Sequence, residues 1–131
     1  MVSPEARSGS GRTGPRAVTA DDRRQARAAL TAAAGAARAG LADAERDHAA
    51  LADDCVLDAA DEAERTTRSQ GIADRAEHAR EELRLAAEAL GRLDSGDYGT
   101  CVSCERPIDR ERVLALPLVR HCIDCAAAAR R

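Results

Sequence analysis

The residues in this chain best placed to do chemistry are two cysteine pairs. Cys101-Val102-Ser103-Cys104 is followed, after seventeen intervening residues, by Cys122-Ile123-Asp124-Cys125. Each Cys-x-x-Cys pair can present two thiolates on one side of a tight turn, which is what a tetrahedral metal requires. Four thiolates at about 2.3 Å from a d¹⁰ cation make a closed, structural zinc site with no position left for a substrate. A single such pair can instead be a redox dithiol, but that motif opens a helix in a βαβ setting, and nothing in this sequence has that pattern. Two disulfides would need an oxidising compartment, and no secretory leader pattern is visible. The spacing therefore favours zinc held by Cys101, Cys104, Cys122 and Cys125. His121 adjoins Cys122, but four cysteines already complete the shell, so it reads as a solvated neighbour. There is no Ser/His/Asp arrangement and no phosphate-cradling glycine loop, and no enzyme activity is expected.

The rest of the chain must position this site with few large side chains. Of 131 residues 44% are apolar, but much of that is alanine; there is no Trp or Phe, and Tyr98 is the single aromatic residue. That is too little bulk for a broad globular core. An Ala-, Arg- and Glu-rich composition with helical periodicity points to long helices packed in pairs. The metal then organises a part too small to fold on its own. All 20 basic side chains are Arg, yet the net charge is −3, which argues against general nucleic-acid binding. No apolar run approaches the ~18 residues of a membrane span. Five cysteines, four of them in a metal pattern, fit a reducing cytoplasm.

Residues 1–18 are rich in Ser, Gly, Pro and Arg and read as a disordered tail. Thr19 is a plausible N-cap, with Asp21 and Asp22 in a first turn where the helix dipole favours negative charge. From there to about residue 53, Leu30, Ala34, Ala37, Leu41, Ala44, His48 and Leu51 recur in alternating steps of four and three, a heptad seam. Gly35 and Gly40 each cost about 1 kcal/mol relative to Ala, so this helix needs a partner. The partner seam is Ile72, Ala76, Ala79, Leu83, Ala86, Leu90 and Leu93, ending at the stop signal Asp94-Ser95-Gly96. Two seams joined by a short segment near 54–60 imply an antiparallel coiled-coil hairpin over 19–95, about 50 Å long at 1.5 Å per residue. They also favour a monomer over pairing between chains.

Charge concentrates at the turn of this hairpin. Between Asp43 and Glu64 there are nine acidic residues and one basic residue, Arg46. This segment carries −8, leaving +5 for the rest of a chain whose total is −3. One-signed charge at the end of a projection suits a tip that meets cations or basic side chains. Cys55 lies here, outside the zinc set, and reads as a small residue at the loop. In the region 96–131, Tyr98, Ile108, Val113, Leu114, Leu116 and Ile123 are candidates for a small core around the metal. Arg106, Arg110, Arg112, Arg120 and His121 could offset the −2 of a zinc tetrathiolate, and a short helix over 123–131 closes the chain.

The run from Ala89 through Gly96-Asp97-Tyr98-Gly99 to Cys104, with Ile108, Ala115, Pro117 and Cys122-Ile123-Asp124-Cys125, resembles the DksA/TraR family of bacterial transcription regulators. A second match, Asp58-Ala59-Ala60-Asp61-Glu62-Ala63, fits the family's Asp-x-x-Asp-x-Ala tip motif at the expected distance from the finger. The resemblance covers residues 20–131. It implies an all-α-dominated fold, a hairpin with an acidic tip near 54–63 and a C-terminal four-Cys zinc finger with a short helix over 96–131. It also implies direct binding to RNA polymerase rather than to DNA, with the hairpin in the secondary channel and the base on the rim. Asp58 and Asp61 would carry regulation, with Ala63 packed beside them. Two features depart from the family. Glu105 stands where the family usually has Gly, which predicts a strained zinc knuckle. At the positions that pair with ppGpp in the family's best-studied members, this chain has Leu85, Leu116 and Ala126, so direct ppGpp dependence is not expected. Two other readings remain open at the level of sequence. A Gre-like transcript-cleavage factor shares the hairpin but lacks the finger, and a zinc-finger DNA binder would need a basic recognition helix.

Overall fold

The computed structural model describes residues 17–53 and 58–131. Four helices follow in order: α1 (Ala20–Asp53), α2 (Ala59–Ser95), α3 (Arg110–Ala115) and α4 (Ile123–Ala129). Among the described residues there is no strand, and a lone antiparallel bridge joins Thr100 to Pro107. α1 and α2 form the long antiparallel hairpin that the two seams imply.

Three of the hairpin's helix ends are fixed by local chemistry. Thr19 Oγ1 accepts the Asp22 N–H at 3.1 Å, and the Asp22 carboxylate accepts the Thr19 N–H at 2.9 Å. This is a reciprocal capping box with Asp in the place usually taken by Glu. α2 begins at Asp58, whose extended backbone and carboxylate cap the Asp61 N–H at 2.9 Å. It ends at Gly96, in the left-handed conformation at φ 84°. The N–H groups of Asp97 and Tyr98 then turn back onto the Arg92 carbonyl at 2.9 and 3.2 Å, satisfying an end-of-helix acceptor.

The seam residues face inward with four exceptions. His48 is exposed, and Leu41, Leu83 and Leu90 are only half-buried. The buried stripe also continues two steps beyond the expected seam, through Ala26 to Asp22, and includes Ala89, which is fully buried. The apolar core is divided. One cluster joins Ala26, Leu30, Ala89 and Leu93 of the hairpin to Tyr98, Cys101, Ile108 and Val113 of the finger. The other, toward the acidic end, consists of Ala44, Leu51, Ile72 and Ala76 with Leu41 against it. Cross-helix ion pairs accompany both, Arg27–Asp94 at 2.7 Å near the base and Arg75–Asp47 at 2.8 Å farther out.

In the finger, Tyr98, Ile108 and Val113 are buried as expected. Leu114, Leu116 and Ile123 are 41%, 51% and 69% exposed, which corrects their assignment to the core. A finger this thin has one apolar side, and the hairpin base covers it; Leu118 and Val119 pack against the cluster instead.

Candidate metal centre and hairpin tip

The two halves of the metal centre are built by different local structures. In the first, the Cys101 N–H donates to the Arg106 carbonyl at 2.9 Å, and the Ile108 N–H donates to the Gly99 carbonyl at 2.7 Å. These bonds fold residues 99–108 into a narrow loop. Its turn is closed by the Glu105 N–H on the Cys101 carbonyl at 3.0 Å, and Glu105 takes a left-handed φ of 60°. The family's glycine is therefore replaced at a position where the backbone takes the conformation glycine favours. In the second half, Cys122 caps α4 and its sulfur accepts the Cys125 N–H at 3.5 Å. The Val102 N–H reaches the Arg120 carbonyl at 2.9 Å and ties the halves together.

This framework brings the Sγ atoms of Cys101, Cys104, Cys122 and Cys125 within 4.8 Å of one another, Cys101 buried and the others half-buried. A tetrahedron with metal–sulfur bonds of about 2.3 Å has sulfur–sulfur edges of about 3.8 Å. The Cys104 and Cys122 sulfurs are 3.8 Å apart. The donor set and its dimensions fit zinc, and the cluster is a C4 zinc site. Its electrostatics are ordered for a cation. Burial pushes the Cys101 thiol up, but the backbone N–H groups of Cys122, Cys104 and Ser103 outweigh it and hold the thiol at about 5. Arg106, whose Nε donates to Cys104 Sγ at 3.4 Å, lowers that thiol as well. Cys125, crowded first by the Cys122 sulfur and then by Cys101 and Cys104, is pushed up to about 12. Four thiolates on one spot repel, and a divalent cation is what permits all four to ionise.

Of the arginines expected to balance the site, Arg106 bonds a cysteine sulfur and the others hold the frame. Arg110 forms a bidentate pair with Asp22, Nε to Oδ2 at 2.6 Å and Nη2 to Oδ1 at 2.9 Å. The Asp22 side chain is 5% exposed, and this bond holds its carboxyl well below the usual carboxylate range. Arg112 donates to the His121 carbonyl at 3.3 Å, and Arg120 to Glu88 at 3.2 Å. Arg92 donates to the Val119 carbonyl at 3.3 Å. Tyr98 donates its hydroxyl to the Pro117 carbonyl at 2.9 Å, and burial raises its pKa above the ordinary value. His121 stands off the metal set, with Nδ1 3.1 Å from Ser103 Oγ. The Thr19-x-x-Asp22 spacing signals the cap, but nothing local announces a partner 88 residues away.

At the other end of the hairpin, Asp58, Asp61 and Ala63 are exposed. Asp58 is the N-cap and Asp61 lies in the first turn of α2, so the two carboxylates sit three residues apart at the helix start. Ala63 does not pack into a core; its carbonyl accepts the Thr67 hydroxyl at 3.1 Å. Cys55 and the centre of the turn, 54–57, lie outside the described residues, as does most of the expected tail. The metal centre and the acidic tip stand at opposite ends of helices of 34 and 37 residues, about 50 Å apart at 1.5 Å per residue.

Residues 96–131 match the model of the prokaryotic dksA/traR C4-type zinc finger. The chain also resembles a solved structure, that of transcription factor DksA2 from Pseudomonas aeruginosa. The TM-score is 0.75 and the identity 26%, over 86% of each chain. Residues 96–131 are thus a dksA/traR C4-type zinc finger, carried on a chain whose fold is that of a DksA-like transcription factor. The likeness to that transcription factor extends through hairpin as well as finger. An uncharacterized protein of Aquifex aeolicus (strain VF5) is 37% identical over 49 residues, which span 37% of this chain and 34% of that protein. The chain thus matches about a third of that relative's own length. No described helix is long and apolar enough to cross a membrane.

Proposed function

We propose that this protein regulates transcription by binding RNA polymerase, with its hairpin inserted in the secondary channel and Asp58 and Asp61 acting near the catalytic centre. Zinc bound by Cys101, Cys104, Cys122 and Cys125 is structural. It holds the finger against the hairpin base, so that a slender projection is carried in one direction. The observation that carries this reading is the exposed Asp58/Asp61 pair at the start of α2, at the far end of a narrow hairpin clamped at its base. Such a probe fits a confined, cation-lined channel, where field focusing favours carboxylates. The likeness to a solved transcription factor supports the class of activity. Its action is non-enzymatic, as a monomer in the cytoplasm, without sequence-specific DNA contact and without direct dependence on ppGpp. Leu85, Leu116 and Ala126 offer no charge to a phosphate.

A pull-down with core RNA polymerase, paired with an open-complex lifetime measurement, tests the proposal. The wild type should bind and change the lifetime, and the Asp58→Asn/Asp61→Asn double variant should bind without changing it. Absence of binding by the wild type would contradict the proposal.

A further inference from the structure

The hairpin's two apolar clusters are separated by a stretch where only small side chains are buried. The base cluster ends at Leu30 on α1 and at Ala89 on α2. The outer cluster begins at Leu41 and Ala76. Between these limits the buried residues are Ala34 and Ala37 on α1 and Ala79 and Ala86 on α2, with Leu83 half-buried. Each alanine contributes a single methyl, so adhesion between the helices is weakest here. The cross-helix ion pairs among the described residues, Arg27–Asp94 and Arg75–Asp47, lie at the flanks of this stretch.

The two helices differ in what supports them along this stretch. On α2, Arg84 bonds Glu81 at 2.7 Å and Glu88 at 3.0 Å, with Arg80–Glu77 and His78–Glu82 alongside. Pairs three and four residues apart stabilise a helix on its own account. On α1, Arg38 is the sole charged residue between Arg27 and Asp43, and Gly35 and Gly40 interrupt the alanines. A Cβ built at either glycine meets nothing within 4 Å, so close packing does not demand glycine there. Both lie inside a helix at ordinary helical φ, where glycine's effect is to loosen the backbone. Beside Gly40 an open groove of about 410 Å³ runs between Ala37 and Ala79.

We propose that residues 31–40 of α1 form a compliant segment that yields locally against a stiffer α2, so that the acidic end of the hairpin can change direction while the zinc-clamped base stays packed. Local opening is expected where buried apolar contact is thin and backbone hydrogen bonds are exposed. This goes beyond polymerase binding and does not depend on it.

The test uses the free, zinc-loaded full chain. Amide hydrogen exchange should be faster in residues 31–40 than in the α1 stretches packed at either flank. Gly35→Ala and Gly40→Ala should each slow it by about fivefold, and together by about 25-fold, from the helix cost of glycine. Gly91→Ala in α2, where an added Cβ also meets nothing, should leave this segment unchanged. In a Cys55→Ser background, nitroxides at Arg24→Cys and Thr66→Cys should give a broad distance distribution, which the double alanine variant narrows. Exchange in 31–40 as slow as at the flanks overturns the proposal. So does slowing by Gly91→Ala equal to that of the double variant, or a distribution width that the double variant leaves unchanged.

Discussion

Replacing Glu105 by glycine should tighten zinc binding. Glu105 is the closing residue of the first cysteine knuckle. Its N–H is committed to the Cys101 carbonyl at 3.0 Å and its φ is 60°. The side chain is exposed, so the substitution removes little packing. A non-glycine residue in the left-handed region costs about 1–2 kcal/mol. Glycine's greater freedom in the unfolded chain returns about 0.5–1 kcal/mol of that. A net gain of about 0.5–1 kcal/mol remains. Because metal binding and folding of a small finger are coupled, the gain should be read in the zinc affinity, as a roughly 2–5-fold tighter Kd. Competition against a chromophoric chelator measures it directly, with Glu105→Ala as a control that keeps the left-handed cost and should stay near wild type. Unchanged or weaker affinity in Glu105→Gly would refute the reasoning, because the strain would then not be borne by the metal site.

Three further outcomes are expected. Asp22→Asn and Arg110→Ala should each lower the thermal midpoint, and the double variant should lower it little further, since both remove the same bidentate bond; additive losses would deny the coupling of helix cap to finger. Chelating zinc should expose Tyr98, the single aromatic residue, and alter its fluorescence. Its phenol titration, raised by burial in the folded protein, should then return toward about 10. Since the folded value is the higher one, the stability from this group is present below pH ~10 and fades as pH rises through the folded value. At the tip, Asp58→Ala should cost about 1 kcal/mol of helix stability, because it removes the cap on the Asp61 N–H. Asp58→Asn should retain the cap and lose only the charge, so thermal melts separate the two roles.

The hairpin and the metal set were legible because both are written in local spacing. Alternating steps of four and three fix which faces of α1 and α2 meet, and two Cys-x-x-Cys pairs fix the donor type and count. What escaped was written across distance. Asp22 has the spacing of a dipole-favoured cap residue, yet its carboxylate is buried on Arg110, and no local pattern connects positions 88 apart. Leu114, Leu116 and Ile123 carry the composition of core residues, but the covered side of the finger is satisfied by Tyr98, Ile108 and Val113 together with Leu118 and Val119. The short α3 likewise depends on its capture at the hairpin base, because six residues are too few to hold a helix unaided. Glu105 was legible in part. Its departure from a glycine marked the position, and the backbone angle supplied the reason it matters.

The central claim is that the acidic tip works beside the catalytic centre of RNA polymerase. A photo-crosslinking side chain at Glu62, between Asp58 and Ala63 on the exposed first turn of α2, tests it most directly. In a complex with core polymerase, crosslinks should form to channel segments surrounding the catalytic centre and be lost when the channel is occupied by a competing hairpin protein. Crosslinks confined to the outer surface, or none in a complex that demonstrably forms, would contradict it.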